Sequence, residues 1–427
     1  MKKWILFGLL GGFMAISFIF WLPAFLGTNM LTDYPCVIGR LLALTGFILV
    51  LFQVVLSSRL KWLERGLGLD KMLGIHKTAG VVGFAFMLSH PVLHASSDIL
   101  AQGYVTLKWP MIFGLIVVLL ALVTVGSALL YGRLHLKYGT WKAMHWFNFI
   151  IVPVIFAHSL LLGTDLGAQP PLRIFWYFLG GLYLLLVAVI LWDRIQVRRH
   201  LLQVTDVIQE TPDTWSLHFK GGSPEHKPGQ FMMLSLLHNG RRSEPHPFTI
   251  SSSPTSGDLS VSVKAVGDFT STVKDATPAD GAIVDMPYGT FSFLNYDAPN
   301  LVFIAGGIGI TPFISMLRYM VDKKLERKVV LIWGNKTEKD IAFQAELMQM
   351  AAAMPSLRIL HVLSNQPDWP GEKGYVDAGL LQKQLEDFEN PQVFVCGPPV
   401  MMTKVVLALQ QVGVPKERIH FERFALR

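Results

Sequence analysis

The sequence predicts a multidomain membrane protein: an all-α six-helix transmembrane bundle, then an antiparallel β-barrel, then a doubly wound α/β domain. Hydrophobic residues make up 52% of the 427 residues and mean hydropathy is +0.43, too apolar for an ordinary soluble enzyme. The hydrophobic residues are concentrated before Trp192, in runs long enough to span a bilayer. Beyond Arg198 the chain shows short alternating apolar runs, followed by buried strands separated by helices.

Six stretches provide the roughly 20 apolar residues that a membrane-spanning helix needs. They are residues 4–26, 36–57, 76–96, 109–131, 143–163 and 172–192. Lys2 and Lys3 precede the first, but its run is too long for a signal peptide, so we expect a retained span. We predict a membrane domain over residues 1–195 and two further domains over residues 200–298 and 299–427.

Basic residues in the loops predict the orientation, because Lys and Arg favour the cytoplasmic side of a membrane. The loops after spans two and four carry Arg59, Lys61, Arg65, Lys71, Arg133, Lys137 and Lys142. The opposite loops carry only Lys108 and Arg173. We therefore expect a multi-pass protein of the cell membrane, surrounded by lipid, with both termini in the cytoplasm. The net charge of +7 reflects this bias and does not indicate nucleic-acid binding.

Histidines occur in pairs within two of the spans, where ionisable residues are costly and mark functional sites. The third span carries His76 and His90, 14 residues apart, and the fifth carries His145 and His158, 13 residues apart. Both separations are rises of roughly 20 Å, so the pairs form two levels. We call them the inner rung (His76 and His145) and the outer rung (His90 and His158). Paired imidazoles are what bis-histidine ligation of a haem iron requires, so we predict two b-type haems.

Helix geometry fits these rungs incompletely. Fourteen steps leave an angular offset of about 40°, which helix tilt absorbs, but thirteen leave about 140°. We expect Pro153, between His145 and His158, to kink or unwind the fifth span. The alternative for each histidine, His94 included, is a polar residue at a helix end that hydrogen-bonds to a neighbouring helix.

Arg40 lies about one turn inside the outer end of the second span. A buried arginine needs an anionic partner, and a haem propionate at the outer rung is one. The alternative is that Arg40 extends to the outer headgroups.

The second half of the chain carries two sets of strands. Short strands with turn residues between them predict an antiparallel barrel up to residue 296. From residue 301, buried strands alternate with helices, as in a doubly wound parallel sheet, whose ligands bind at the carboxyl ends of the strands.

Two motifs follow strands of that predicted sheet. In AGGIGITP (residues 305–312), glycines let backbone amides approach a phosphate, Thr311 can cap the next helix and Pro312 suits its first position. The helix N-terminus is then suited to a pyrophosphate; the alternative is a tight strand–helix turn. In CGPP (residues 396–399), the Cys396 thiol is placed to lie beside a nicotinamide ring; the alternative is a small buried hydrophobe.

Taken together, HPFTISSSP, GDFTSTV, GGIGITPFISML and CGPP resemble the flavin and nicotinamide motifs of the ferredoxin reductase superfamily. With the six spans and the two histidine pairs, residues 36–427 resemble the ferric reductase and NADPH oxidase family. The resemblance implies FAD, two b-type haems and NADPH as cofactors, with NADH as an alternative donor.

The resemblance also assigns residues to each cofactor. It implies a segment that lies against the flavin, formed by His246, Pro247, Phe248 and Thr249. It also implies a segment that holds the FAD phosphates, formed by Lys264, Gly267, Thr270 and Ser271. Its pyrophosphate loop is Gly306, Gly307, Gly309 and Thr311, and its nicotinamide end is Cys396, Gly397 and Pro398. Phe424 is expected to cover the flavin where nicotinamide enters; the alternative is packing of a last strand.

The loop after LIWGN bears on the electron donor. Lys336 and Thr337 offer a cation and a hydroxyl to a 2′-phosphate, and no acidic residue ends LIWGN to bind a ribose 2′-hydroxyl. We therefore predict NADPH over NADH. The alternative is a solvated loop of mixed charge.

These features predict a transmembrane electron relay from NAD(P)H through FAD and two haems to a small-molecule acceptor on the far face. The outer loops hold only Asp33, Asp98 and Asp165 as acids, a poor site for a bare ferric or copper ion. Dioxygen needs no such site, so we predict superoxide as the product. Neither an EF-hand pattern before the first span nor a long basic or proline-rich tail indicates a regulator, so we expect no obligatory protein partner. The alternatives are a ferric (metal-chelate) reductase, an electron-transfer subunit that feeds a specific partner protein, and a histidine proton conduit beside an anchored flavoreductase.

Overall fold

The computed structural model describes residues 2–28, 30–58, 60–136, 138–197, 201–222, 225–238 and 240–422. The chain forms two compact units, Met1–Asp193 and Arg194–Arg427. Each unit has hydrophobic cores of its own.

The first unit is helical, and six of its described helical segments are long and apolar enough to cross a membrane. These segments are Trp4–Leu26, Leu31–Ser57, Lys71–Gln102, Met111–Leu129, Gly139–Leu162 and Pro170–Asp193. The helices are α1 (Lys2–Leu26), α2 (Tyr34–Ser57), α3 (Lys61–Leu67), α4 (Leu69–Gln102), α5 (Met111–Leu129), α6 (Tyr131–Leu134), α7 (Tyr138–His145), α8 (Asn148–Leu162), α9 (Thr164–Ala168) and α10 (Pro170–Val197).

The predicted fifth span is interrupted immediately after His145, and not at Pro153 as the sequence suggested. Helix α7 ends at His145 and α8 begins at Asn148. Across the break, Phe147 N donates to Met144 O (3.2 Å) and Phe149 N to Trp146 O (3.1 Å), which are i→i−3 bonds. Such 3₁₀ bonds turn the chain by about 120° per residue instead of 100°, so the break reduces the angular offset between His145 and His158.

Pro153 lies inside α8 without ending it. Its missing N–H leaves the carbonyl of Phe149 without a helical partner. The hydroxyl of Tyr183, on α10, donates to that carbonyl oxygen at 2.5 Å. A side chain from another span therefore supplies the hydrogen bond that proline removes, and the helix continues.

Glycines allow α2 and α4 to pack closely along their length. A Cβ added to Gly39 would lie 3.2 Å from Leu93 Cβ, and one added to Gly83 would lie 3.2 Å from Leu49 Cβ. Small residues at such positions let the backbones of two spans approach, as is usual within membranes. The contact fixes α4, which carries His76 and His90, against α2.

The second unit begins with an antiparallel barrel. Its elements are β1 (Leu201–Thr211), β2 (Thr214–Lys220), β3 (Phe231–His238), β4 (Arg241–Arg242), β5 (His246–Thr249), β6 (Leu259–Lys264), α11 (Asp268–Thr272) and β7 (Gly281–Tyr288). The strand order is β4-β3-β7-β1-β2-β6, with β5 paired to β3. An antiparallel bridge between Ile250, next to β5, and Val261 of β6 closes the barrel. The predicted antiparallel barrel is confirmed.

The parallel sheet that follows is the predicted doubly wound domain. Its elements are β8 (Asn300–Gly306), α12 (Thr311–Asp322), β9 (Lys328–Asn335), α13 (Gln344–Ala353), β10 (Leu357–Leu363), β11 (Glu372–Lys373), α14 (Ala378–Leu385), β12 (Gln392–Cys396), α15 (Pro399–Gln411) and β13 (Ile419–Glu422). The order is β11-β10-β9-β8-β12-β13, with every pairing parallel. The direction of winding reverses between β8 and β12, and a ligand is expected in the crevice at their carboxyl ends.

Candidate functional site

The inner rung forms as the sequence predicted. His76 on α4 and His145 at the end of α7 lie with ring centroids 6.0 Å apart and ring planes at 62°. Two metal–imidazole bonds of about 2 Å each would place the centroids of two ligating rings roughly 6 Å apart. The Nδ1 atom of His76 and the Oε1 atom of Gln53 on α2 are both buried without a hydrogen-bond partner in the described structure. The residues at this rung therefore fit a bis-histidine haem. No sequence pattern indicated Gln53.

At the outer rung, backbone carbonyls orient both histidines. His90 Nδ1 lies 3.1 Å from Gly39 O, and His158 Nδ1 lies 3.4 Å from Pro110 O. A carbonyl only accepts, so each Nδ1 carries the proton and each Nε2 offers its lone pair, as a metal ligand must. Gly114 leaves room for the second ring, because a Cβ there would lie 3.0 Å from His158 Cε1.

His94 and Cys36 adjoin the outer rung. The ring centroids of His90 and His94 are 4.6 Å apart, and His158 lies within electrostatic range of both rings. The sulfur of Cys36 is 3.5 Å from His94 Nδ1. The spacing of four residues places His94 on the same helix face as His90, whereas no sequence pattern indicates Cys36.

The anionic partner of Arg40 is supplied by the chain itself. Arg40 Nη1 lies 2.8 Å from Asp165 Oδ1 and 3.0 Å from Thr164 Oγ1. Arg40 Nε is buried without a hydrogen-bond partner in the described structure. The contact of Arg40 with a haem propionate stays a prediction.

The predicted flavin segment lies on β5, paired antiparallel with β3. The hydroxyl of Thr249 is buried and has no hydrogen-bond partner among the described residues, which fits a polar group brought by a cofactor. Phe248 lies on the same strand, with Pro247 before it. The His246 ring stacks on Phe269, with centroids 4.1 Å apart and planes at 3°. Phe269 lies within the quoted GDFTSTV motif but was not singled out.

Two of the residues predicted to bind the FAD phosphates form contacts with neighbouring residues of the chain. Lys264 Nζ lies 3.1 Å from Asp213 Oδ2. The hydroxyl of Thr270 accepts from the backbone N–H groups of Val266 and Gly267, both at 2.9 Å. Ser271 lies in the same short helix, α11, and its N–H donates to Gly267 O. The role of this segment in binding FAD phosphates stays a prediction.

The predicted pyrophosphate loop is a tight junction between β8 and α12. Gly306 ends β8, a 3₁₀ turn spans Gly307–Ile310, and Gly307 has φ +51°. A Cβ on Gly309 would lie only 2.3 Å from Cys396 O, so the loop packs against the end of β12 at the crevice. Thr311 is the first residue of α12 and not its cap, because its hydroxyl donates to Ile308 O at 3.2 Å.

The nicotinamide end is built by two neighbouring strands. Cys396 at the end of β12 is fully buried and pairs in register with Glu422 of β13. Burial raises the pKa of the Cys396 thiol well above its usual range and Glu422 raises it further, so the thiol is protonated at neutral pH. Gly397 and Pro398 follow, and a Cβ on Gly397 would lie 3.1 Å from Gly306 Cα. No sequence pattern indicated Glu422, which reaches this site through strand pairing.

Hydrogen bonds connect helix α12 to the residues that directly follow the predicted flavin segment. Ser315 Oγ donates to Ser252 O and Arg318 Nη1 donates to Ser251 O, both at 2.8 Å. Arg318 also forms a two-point ion pair with Glu346, at 2.7 and 2.8 Å. The segment after β5 and the helix after the pyrophosphate loop are thereby held together within the second unit.

The two residues predicted to bind a 2′-phosphate differ in solvent exposure and in their hydrogen bonds. Lys336 is exposed after β9. The Thr337 hydroxyl donates to Asp340 Oδ2 at 2.8 Å, and its N–H reaches the same oxygen at 2.9 Å. Of the pair, Lys336 is the side chain that remains exposed to solvent. Phe424, predicted to cover the flavin, lies outside the described residues.

The first unit is helical, is apolar enough to lie in a membrane and carries paired imidazoles. The second unit contains a barrel and a doubly wound sheet with a dinucleotide-binding loop. The chain thus combines a membrane domain with FAD- and NAD-binding oxidoreductase domains. Three family profiles match it: "Ferric reductase like transmembrane component" over residues 42–156, "FAD-binding domain" over 202–292 and "Oxidoreductase NAD-binding domain" over 303–406. The chain therefore has the domain architecture of the ferric reductase and NADPH oxidase family and is a multi-pass membrane protein.

Curated relatives match about half of the chain. The glycine betaine monooxygenase reductase subunit of Pseudomonas aeruginosa is 33% identical over 53% of this chain and 64% of its own length. The ferredoxin reductase component of 3-ketosteroid-9-alpha-monooxygenase from Rhodococcus rhodochrous is 32% identical over 53% of this chain and 65% of its own length. Among solved structures, the FAD/NAD-binding domain of nitric oxide dioxygenase from Vibrio cholerae aligns with a TM-score of 0.47 and 22% identity, over 52% of this chain and 97% of that one.

Proposed function

We propose that the protein moves electrons from cytoplasmic NADPH through FAD and two b-type haems to dioxygen on the opposite face, giving superoxide. The observation that carries this proposal is the pair of histidine rungs, with His76 and His145 at a spacing suited to a shared metal ion. Both termini then lie in the cytoplasm, as the distribution of loop charges indicates.

The residues of the second unit bind and orient the donor. The amides of the Gly306–Gly309 loop and the N-terminus of α12 hold a pyrophosphate, and Cys396 is a neutral group beside the nicotinamide. When bound, FAD accepts a hydride and the haem irons carry single electrons. Thr249 offers its buried hydroxyl to the flavin. Each NADPH yields NADP⁺, one proton and two electrons, and two dioxygen molecules take one electron each.

The outer acids support dioxygen over a bare metal ion as the acceptor. Asp165 is paired with Arg40. Asp98 Oδ2 accepts from Thr106 N at 2.9 Å, and Asp33 Oδ1 accepts from the Thr32 hydroxyl at 3.4 Å. Among the described residues, no three His, Cys, Asp or Glu side chains converge as a metal site, whereas a dedicated ferric or copper site needs converging ligands.

The acceptor is tested by the response to superoxide dismutase. With NADPH as donor, reduction of cytochrome c or of a ferric chelate by the purified protein is expected to fall strongly when dismutase is added or oxygen is removed, because superoxide carries the electron. Rates with and without each treatment are the measurement. Ferric reduction at full rate without oxygen, unaffected by dismutase, would show a direct ferric reductase.

A second proposal concerns partner proteins. Two of the relatives are by name reductase components of monooxygenases, which favours delivery of electrons to another protein as the runner-up function. We propose instead that the purified chain turns over with a small-molecule acceptor alone. Haems that NADPH reduces but neither dioxygen nor ferric chelate reoxidises would support the partner-protein alternative.

The donor preference depends on Lys336. NADPH is expected to give a higher kcat/KM than NADH, because the exposed ammonium can pair with the 2′-phosphate. Lys336→Ala is expected to raise KM for NADPH by up to about fivefold and to leave KM for NADH unchanged. Lys339→Ala, in the same exposed loop, is the matched control and is expected to change neither value. A clear preference for NADH, unaffected by Lys336→Ala, would contradict the prediction.

A further inference from the structure

Asn335 ends β9 with both polar atoms of its side-chain amide unsatisfied. The residue is only 8% exposed, and neither Oδ1 nor Nδ2 has a hydrogen-bond partner in the part of the chain that the structure describes. Buried amides are nearly always hydrogen-bonded, because an unpaired polar group loses its hydration without compensation. Asn335 therefore indicates that a polar group from outside the chain binds here.

The sheet around Asn335 holds the residue in place but does not supply that group. Side chains alternate between the faces of a strand, so Asn335 shares a face with Leu331 and Trp333, which pack in one core with residues of α12. Its register partner on β10 is Leu363, which is buried and apolar. The N–H and the hydroxyl of Ser364 donate to the backbone oxygen of Asn335, at 3.0 and 3.3 Å. The backbone is thereby fixed, and the amide is left for a ligand.

Asn335 lies between the two phosphate-binding features predicted for this crevice. Gly306, where the pyrophosphate loop begins, pairs in register with the residue before Asn335. Trp333 Nε1 donates to Gly307 O at 3.0 Å and so holds that loop against β9. The residue after Asn335 is the exposed Lys336, predicted to pair with a 2′-phosphate. In NADPH, the adenosine ribose carries the pyrophosphate on its 5′ carbon and the extra phosphate on its 2′ carbon, so this ribose is the group expected between the two features.

A ribose hydroxyl matches the hydrogen-bonding capacity of the amide. The small exposed fraction of Asn335 admits a small group and not a phosphate or a purine ring. A hydroxyl donates and accepts one hydrogen bond at the same oxygen, and the amide presents an acceptor beside a donor. The 2′ position of NADPH is occupied by phosphate, which leaves the 3′-hydroxyl as the partner.

We propose that Asn335 binds the 3′-hydroxyl of the adenosine ribose and thereby determines where the adenosine half of the electron donor lies. The proposal deepens the proposed function and rests on it, since it requires the donor to bind in this crevice. Lys336 acts on the 2′-phosphate, which only NADPH carries. Asn335 acts on a hydroxyl that NADPH and NADH share, so it contributes affinity for both donors.

The test compares ADP with 3′-deoxy-ADP as inhibitors that compete with NADPH, using the full chain with its cofactors. The wild-type protein is expected to bind ADP about tenfold more tightly, because one hydrogen bond to a buried amide has an effect of that size. Asn335→Leu, of similar volume without polar atoms, is expected to bind the two inhibitors equally. The measurements are the inhibition constants from steady-state rates, together with the flavin content of each protein.

Asn300→Leu is the matched control for this loss of discrimination. Asn300 begins β8, at the opposite end of that strand from the pyrophosphate loop, and its amide donates to Glu389 O. The same substitution there is expected to keep the wild-type ratio of the two inhibition constants. Equal binding of ADP and 3′-deoxy-ADP by the wild-type protein, or a preference for ADP that persists in Asn335→Leu, would overturn the proposal. ADP that does not compete with NADPH would instead overturn the donor site of the proposed function.

Asn335→Asp gives an independent test through the choice of donor. The carboxylate still accepts from the 3′-hydroxyl, but its charge lies beside the 2′-phosphate and repels it. The variant is expected to lower kcat/KM for NADPH about tenfold relative to kcat/KM for NADH, because like charges are brought close only with NADPH. An unchanged ratio of the two kcat/KM values would contradict the placement of Asn335 beside the ribose.

Discussion

Alanine at His76 or His145 is expected to remove the inner haem, and alanine at His90 or His158 the outer one. Each change deletes one of two axial ligands, and the gap in the relay is expected to slow NAD(P)H-driven acceptor reduction by more than about 100-fold. The FAD content is expected to stay unchanged, because the flavin segment belongs to the second compact unit. The measurements are the haem-to-protein ratio from reduced-minus-oxidised spectra, the flavin content and the steady-state rate.

His94→Ala is the matched control for the outer rung. His94 lies 4.6 Å from His90, ring centroid to ring centroid, on the same helix, so it shares the environment of the ligand. The variant is expected to keep both haems, since His90 is the histidine whose Nδ1 a carbonyl of α2 orients. If His94→Ala lost the outer haem and His90→Ala retained it, the pairing of the outer rung would be wrong.

Gly309→Ala is expected to reduce NADPH-dependent flavin reduction on the order of 100-fold, because small misplacements of reacting groups have effects of that size. The new Cβ would lie 2.3 Å from Cys396 O, 2.6 Å from Cys396 C and 2.8 Å from Gly397 Cα. All three are backbone atoms that no side-chain rotation can move aside, so the pyrophosphate loop or the end of β12 must shift. Stopped-flow absorbance of the flavin measures the rate.

The haems and the flavin of Gly309→Ala are expected to be present and reducible by dithionite. Gly379→Ala is the control in the same unit. Its Cβ would have only an ordinary contact, 3.6 Å from Asp377 Oδ1, and it lies within α14, where alanine favours the helix. A Gly309→Ala enzyme that oxidises NADPH at the wild-type rate would show that the loop does not hold the dinucleotide.

Local patterns were enough to predict the secondary-structure elements and the proximity of His76 and His145. Apolar runs predicted the spans, and LIWGN lies at the end of β9. The break after His145 was not predictable from periodicity, because its 3₁₀ bonds have no residue signature at Trp146 and Phe147. The intact helix at Pro153 depends on Tyr183, 30 residues away, and such a partner is invisible to a local reading.

Partners that are distant in the sequence also explain why some residues of the site could not be predicted. Arg40 was expected to need an anion, but its partner Asp165 is 125 residues away in the chain. Glu422 reaches Cys396 only through the parallel pairing of β12 and β13. Thr311 was predicted to cap α12 from its residue type alone, whereas the preceding 3₁₀ turn makes it the first helical residue. Sequence motifs indicated which residue types belong to the site, whereas tertiary contacts determine which of their atoms interact.

The uninterrupted course of α4 has a consequence for how charge crosses the bilayer. His76 and His90 stand on one helix, with 14 residues and thus about 21 Å of axial rise between them. That length cannot change unless backbone hydrogen bonds break, and the glycine contacts clamp the helix to α2. A transporter must rock between two faces to move its cargo. In the proposed relay, the two histidines of α4 would keep a fixed separation while only the electron moves between the rungs.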